Sequence, residues 1–135
     1  MPVGVSLSTL SSLSSSDRQF VRALVDASVE KARSQHRHAV AALFAALSDA
    51  LGSPDAPTSV VLEAAADLDA EELDAILDGF DARARRERAE GNLARAELFR
   101  ELRAGLEAER ERRGAVLAAL DRSMTWYETH LSGDH

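Results

Sequence analysis

The chain has 135 residues, with 23 acidic side chains against 16 basic ones and a formal net charge of −7. That balance argues against a general nucleic-acid binder, whose affinity rests on neutralising phosphates, and the lack of Cys excludes disulfides, Cys-based zinc sites and a Cys nucleophile. The apolar supply is mainly Ala and Leu, with only 4% aromatic residues, which suits helix–helix packing better than a sandwich or barrel.

Residues 1–15 are rich in Ser, punctuated by Val3, Val5, Leu7, Leu10 and Leu13. They read as an N-terminal arm, disordered or docking, ahead of a single helical-bundle domain over 16–135. Low-complexity composition cannot offset its own ordering entropy unaided, so removal of residues 1–13 is expected to cost little. The stretch "MPVGVSLSTLSSLSSSD" has no basic n-region and no unbroken apolar core, a poor match to a secretory leader. No apolar run approaches the ~20 residues of a membrane span. With no Cys to oxidise, the expected location is the cytoplasm.

A first helix is expected over 17–51. Ser16 and Gln19 fit a capping box, and Gly52, Pro54 and Pro57 stop the helix. Such a helix is ~52 Å long, longer than the ~37 Å diameter of a compact globule of this size, so an elongated bundle is predicted. Val21, Val25, Ser28, Val29, Ala32, Ala39, Leu43 and Leu47 form its core stripe, and His36 falls on that stripe. A short helix is expected over 58–66. Asp69 with Glu72 three residues later marks the next N-terminus, followed by the stripe Leu73, Ile76, Leu77 and Phe80. Continuing that helix straight through Gly91 would turn Glu87, Arg88 and Arg95 onto the apolar stripe, so a turn is predicted near Gly91–Asn92. The last helix runs from Leu93 to Leu131. The fold class is therefore all-α: an elongated helical bundle, two long helices flanking a shorter helical hairpin.

Charge is unevenly placed. Residues 38–82 hold no Lys or Arg and ten acids, whereas residues 83–113 hold ten Arg and seven Glu. The pattern is expected to form two faces that complement each other across the fold; the alternative is a basic docking patch around "DARARRERAEGNLAR".

On the last helix, Leu98, Phe99, Leu106, Val116, Leu117, Leu120, Met124, Tyr127 and Leu131 fall within ~60° of Leu102 at ~100° per residue. They read as one core stripe. Trp126 falls ~120° away, beside Ala115, Ala119, Ser123 and His130. A helix with two packable faces is central in a bundle or lies in an interface. Trp126, Ala119, Ala115 and His130 are therefore the candidate interface, with Trp126 as anchor.

Glu109 and Arg113 interrupt the apolar stripe. If the long helices pack antiparallel, their midpoints meet and His36 lies near both. This trio is the candidate polar layer, a register device or, through a titratable His, a sensing site. No metal or cofactor is expected. No Glu stands three residues before a His, as a di-iron bundle needs, and His36 and His38 point ~200° apart on a helix. No Gly-rich phosphate loop, G-x-S-x-G or H-E-x-x-H is present.

The tail "LAALDRSMTWYETHL" resembles the end of the dimerisation helix in MerR-type transcription regulators, over fifteen residues and mainly in a Leu–Asp–Tyr–Glu pattern. The winged-helix DNA reader of those regulators has no counterpart in the 135 residues. What the resemblance implies is a regulatory dimer. The expected function is a non-enzymatic helical interaction and oligomerisation module, a homodimer foremost, with another protein as a further partner. The alternative is a small-molecule-sensing or transcription-accessory dimer built on the layer around His36. The two differ in one observable: a sensor needs an enclosed polar pocket at His36, a scaffold a closed core and a large exposed apolar patch.

Overall fold

A computed structural model describes residues 3–131, with side chains described through Trp126. Four α-helices follow one another: α1 (Ser15–Ser34), α2 (His38–Gly52), α3 (Ala70–Ala89) and α4 (Leu93–Leu131). Two short strands, β1 (Val3–Ser6) and β2 (Ser59–Leu62), pair antiparallel, with Val3 opposite Leu62 and Val5 opposite Val60. α1 packs on α2 and α3 on α4, while β1 lies against α4. The fold is an all-α bundle of two helical hairpins joined by a small ribbon. Among the described residues, no helix is long and apolar enough to cross a membrane.

The expected first long helix is instead a hairpin. α1 stops at Ser34 because His36 adopts the left-handed conformation, with φ at 57°. The amides of His36 and Arg37 donate to the carbonyls of Arg33 and Ala32, which is the pairing of a Schellman stop. Gly is the usual residue there, but His is one of the few others tolerated. The two stripes, Val21–Val25–Val29–Ala32 and Ala39–Leu43–Leu47, happen to stay in helical phase across the break, so periodicity alone reads them as one. The ~52 Å rod is thereby overturned; the long helix of the fold is α4 instead. The α1 cap is also displaced: Ser14, not Ser16, accepts the amide of Asp17.

The expected helix over 58–66 is strand β2 followed by a 3-10 turn at Glu63–Asp67. Val60 and Val61 are β-branched and suit a pleated ribbon, and β1 supplies the partner. The arm is folded into the core rather than left outside it. Val5, Leu7 and Leu10 are at most 1% exposed. Glu101 of α4 holds the arm: its carboxylate accepts from the amides of Ser8 and Thr9, both at 2.8 Å, and from the hydroxyls of Ser6, Ser8 and Thr9. Gly105, one turn on, lets β1 lie against the helix backbone. A Cβ there would sit 2.7 Å from Val5 Cγ2.

The second half follows the sequence closely. Asp69 caps α3 in a complete capping box with Glu72. The turn falls at Gly91, whose φ of 83° requires a residue without a Cβ. Arg110 and Arg103 of α4 reach Asp74 and Asp81 of α3, at 3.2 and 4.0 Å, so the basic run does face the acidic one across this hairpin.

Candidate interaction surface

α4 is 39 residues long, or ~58 Å. Its first half is a core helix: Leu98, Phe99, Leu102 and Leu106 are buried. The last anchor to the body of the fold is a polar layer. Glu109, only 2% exposed, accepts from Arg112 at 2.7 and 2.8 Å and from Arg113 at 3.1 Å. Arg113 reaches onward to the carbonyl of Ala65, at 3.0 Å. The bonds from Arg112, then those from Arg113, hold the Glu109 carboxyl down at about 2, against the opposing effect of burial. A buried charge with this many donors is tolerated.

The predicted layer is thus half present. Glu109 and Arg113 meet, but His36 lies exposed in the α1–α2 turn and takes no part. The physical reason is the Schellman stop, which removes His36 from any helix face. Arg112 is the member that sequence reasoning missed. It lies off the stripe, and its three-residue spacing from Glu109 was the available signal.

A second buried carboxylate also went unread. Glu87 is 1% exposed. It accepts from the Asn92 amide group at 2.9 Å and faces Arg83 and Arg95 at 3.7 and 3.6 Å. Arg95 in turn pairs with Asp17 at 2.6 Å and lies 3.9 Å from the centre of the Phe20 ring. The network ties the Gly91 turn to α1. The phase test that placed Glu87 on the apolar stripe was the signal for it.

Beyond Arg113 the helix leaves the body of the fold. Every residue from Gly114 to Trp126 is exposed. Val116, Leu117, Leu120 and Met124, expected in the core, are 46, 66, 56 and 64% exposed. Among the described residues, no core cluster extends to that side of the helix. Ala115, Ala119 and Trp126 are exposed too. At ~100° per residue they lie on the far side of the helix from Leu117. The side chains of Tyr127 and His130 lie outside the described residues. The described part of the extension, Ala115 to Trp126, therefore presents two opposed apolar faces over ~18 Å.

The comparisons with known proteins return no match among family models, curated proteins or solved structures.

Proposed function

We propose that the chain is a non-enzymatic self-association module, and that its α4 extension pairs with the same segment of a second copy. The carrying observation is the exposed row Leu117, Leu120 and Met124 just beyond the last core contact. The spacing is three, then four, and the sequence continues it with Tyr127 and Leu131. This is the a–d–a pattern of a coiled-coil seam. A contiguous apolar strip on a helix without a covering neighbour marks an interaction site.

The flanking positions favour a parallel pair. An antiparallel arrangement sets e positions against one another, and both are acidic in the sequence, Asp121 and Glu128. A parallel arrangement sets them against g positions, which are Val116 and Ser123. Trp126, Ala119 and Ala115 fall opposite the seam and stay accessible in such a pair. Trp126 there is a ready anchor for another protein, in keeping with the weight of Trp in binding hot spots.

Light scattering tests the reading. The full chain should give twice 14.6 kDa, and Leu120→Glu should give a single chain with unchanged circular dichroism over the body of the fold. A wild-type chain that stays at 14.6 kDa up to high micromolar concentration would overturn it.

A further inference from the structure

A different surface carries a second inference. Between the α1–α2 hairpin and α3 lies a groove of about 630 Å³, within the ~300–1,000 Å³ of small-molecule sites. Phe44, Phe80 and Phe99 line it, with successive ring centroids 6.1 and 6.2 Å apart. They come from α2, α3 and α4, so three elements converge on one apolar floor.

The groove is kept open by a residue that works against its own helix. Gly79 sits in the interior of α3, where Gly costs ~1 kcal/mol relative to Ala. Among the described residues, no atom lies within 4 Å of where a Cβ would stand, so close packing does not call for it. Departures from local preference without an internal reason concentrate at functional sites. Here the missing side chain leaves that space on the groove wall open.

The rim gives the occupant's charge. Arg37 is engaged by Glu72 at 3.3 Å, and Arg83 faces buried Glu87 at 3.7 Å. The two lining carboxylates, Glu71 and Glu72, stand together in the first turn of α3, at the Arg37 end. Lys31, the single lysine of the chain, lies six residues before Arg37 on α1. Gln35 is one turn from it. Among the described residues, neither side chain has a hydrogen-bond or ion-pair partner. An ammonium and a carboxamide four residues apart form a matched pair of donors for one carboxylate.

We propose that this groove binds a small amphipathic carboxylate, with an alkyl or aryl chain on the three Phe rings and an anionic end at Lys31 and Gln35. The site is separate from the α4 extension, and occupancy does not require self-association.

Calorimetric titration of the full chain with decanoate and with decanol tests this, alongside particle mass by light scattering. Decanoate should bind saturably, one per chain. Gly79→Leu, which fills open space, should abolish binding of both compounds. Lys31→Gln, at an exposed position, should weaken decanoate about fivefold, the upper range for an exposed ion pair, and leave decanol unchanged. The Lys31→Gln comparison decides the matter even if Gly79→Leu fails to fold. Absence of saturable binding would overturn the proposal. So would binding that survives Gly79→Leu, which would place decanoate on the apolar α4 extension. A Gly79→Leu chain that no longer self-associates would overturn it too, showing the groove to be filled by a second copy.

Discussion

The two ends of the chain invert what their compositions suggest. The N-terminal arm is rich in Ser, yet Val5, Leu7 and Leu10 are among the most deeply buried residues of the fold. The C-terminal extension carries a regular apolar row, yet Leu117, Leu120 and Met124 are more than half exposed. The difference lies in what stands opposite. The arm has β2, Gly105 and the Glu101 carboxylate waiting for it; among the described residues, the extension lies beyond the last buried contact of α4. Alternating or helical patterning states which face of an element is apolar. It does not say whether anything in the same chain covers that face.

The largest expected effect breaks the comparison at the arm. Deleting residues 3–13 removes a strand and five buried apolar side chains and should leave a chain without a cooperative melting transition. Leu10→Ala alone should cost about 3 kcal/mol, in the range of large-to-small core changes, measured by urea unfolding. A truncated chain that melts like the wild type would return the arm to the role of spacer that its composition suggests.

Next comes the seat of the arm on α4. Gly105→Ala improves helix propensity, yet its Cβ would meet Val5 Cγ2 and Cγ1 at 2.7 and 2.9 Å. Both are branches of a stiff side chain in a strand, so the clash should win and destabilise by about 1–3 kcal/mol. Adding Val5→Ala should recover part of that loss. If the double variant is simply the sum of the singles, strand and helix are not in contact there.

These cases show where the fold was legible. The α3–α4 hairpin was readable because its signals are local and chemically explicit: Asp69 and Glu72 for the start, Gly91 and Asn92 for the turn. The α1–α2 hairpin was not, because its stop uses His36 in a conformation that Gly usually marks, between two stripes in the same phase. The ribbon was hidden for another reason. β1 and β2 are four residues each and are separated by two helices, so neither shows a pairing partner nearby. At the surface, the polar residues of the layer were visible as breaks in the α4 stripe. Their third member was misassigned because His36 was placed on a helix that ends before it.

The layer itself should show a moderate, pH-dependent effect. The Glu109 carboxyl sits at about 2, against an ordinary 4.5. A depressed folded-state value means the stabilisation is fully present above the unfolded value and is lost as pH falls from about 4.5 toward 2. The two arginines are partly exposed, at 45 and 25%, so solvent screening reduces the effect to about 2 kcal/mol. Glu109→Gln should remove this part of the acid sensitivity and leave the profile between pH 6 and 8 as in the wild type. An unchanged slope between pH 4.5 and 2 would detach Glu109 from the stability of the fold.

The smallest effect falls on the extension, and it separates a helix that stands alone from one that is completed by its partner. Gly114 is the first residue beyond the Arg113 anchor, and no atom lies within 4 Å of where its Cβ would stand. Alanine there should be sterically free and should favour helix by up to ~1 kcal/mol. How that gain is read depends on the state of the isolated chain. A helix of fewer than ~12–15 residues with no tertiary packing is marginal in water, and the extension from Gly114 onward is little longer. Its ordering is then largely completed by association, and preordering it relieves a cost of binding. Gly114→Ala should thus strengthen self-association by up to ~5-fold, the equivalent of ~1 kcal/mol, and leave the melting of a seam-disrupted Leu120→Glu background within ~0.5 kcal/mol of its parent. Sedimentation equilibrium on the two backgrounds makes the comparison. Equal stabilisation of both, with no change in association, would mean that the extension is already a rigid helix in the single chain, and that pairing adds only the burial of Leu117, Leu120 and Met124.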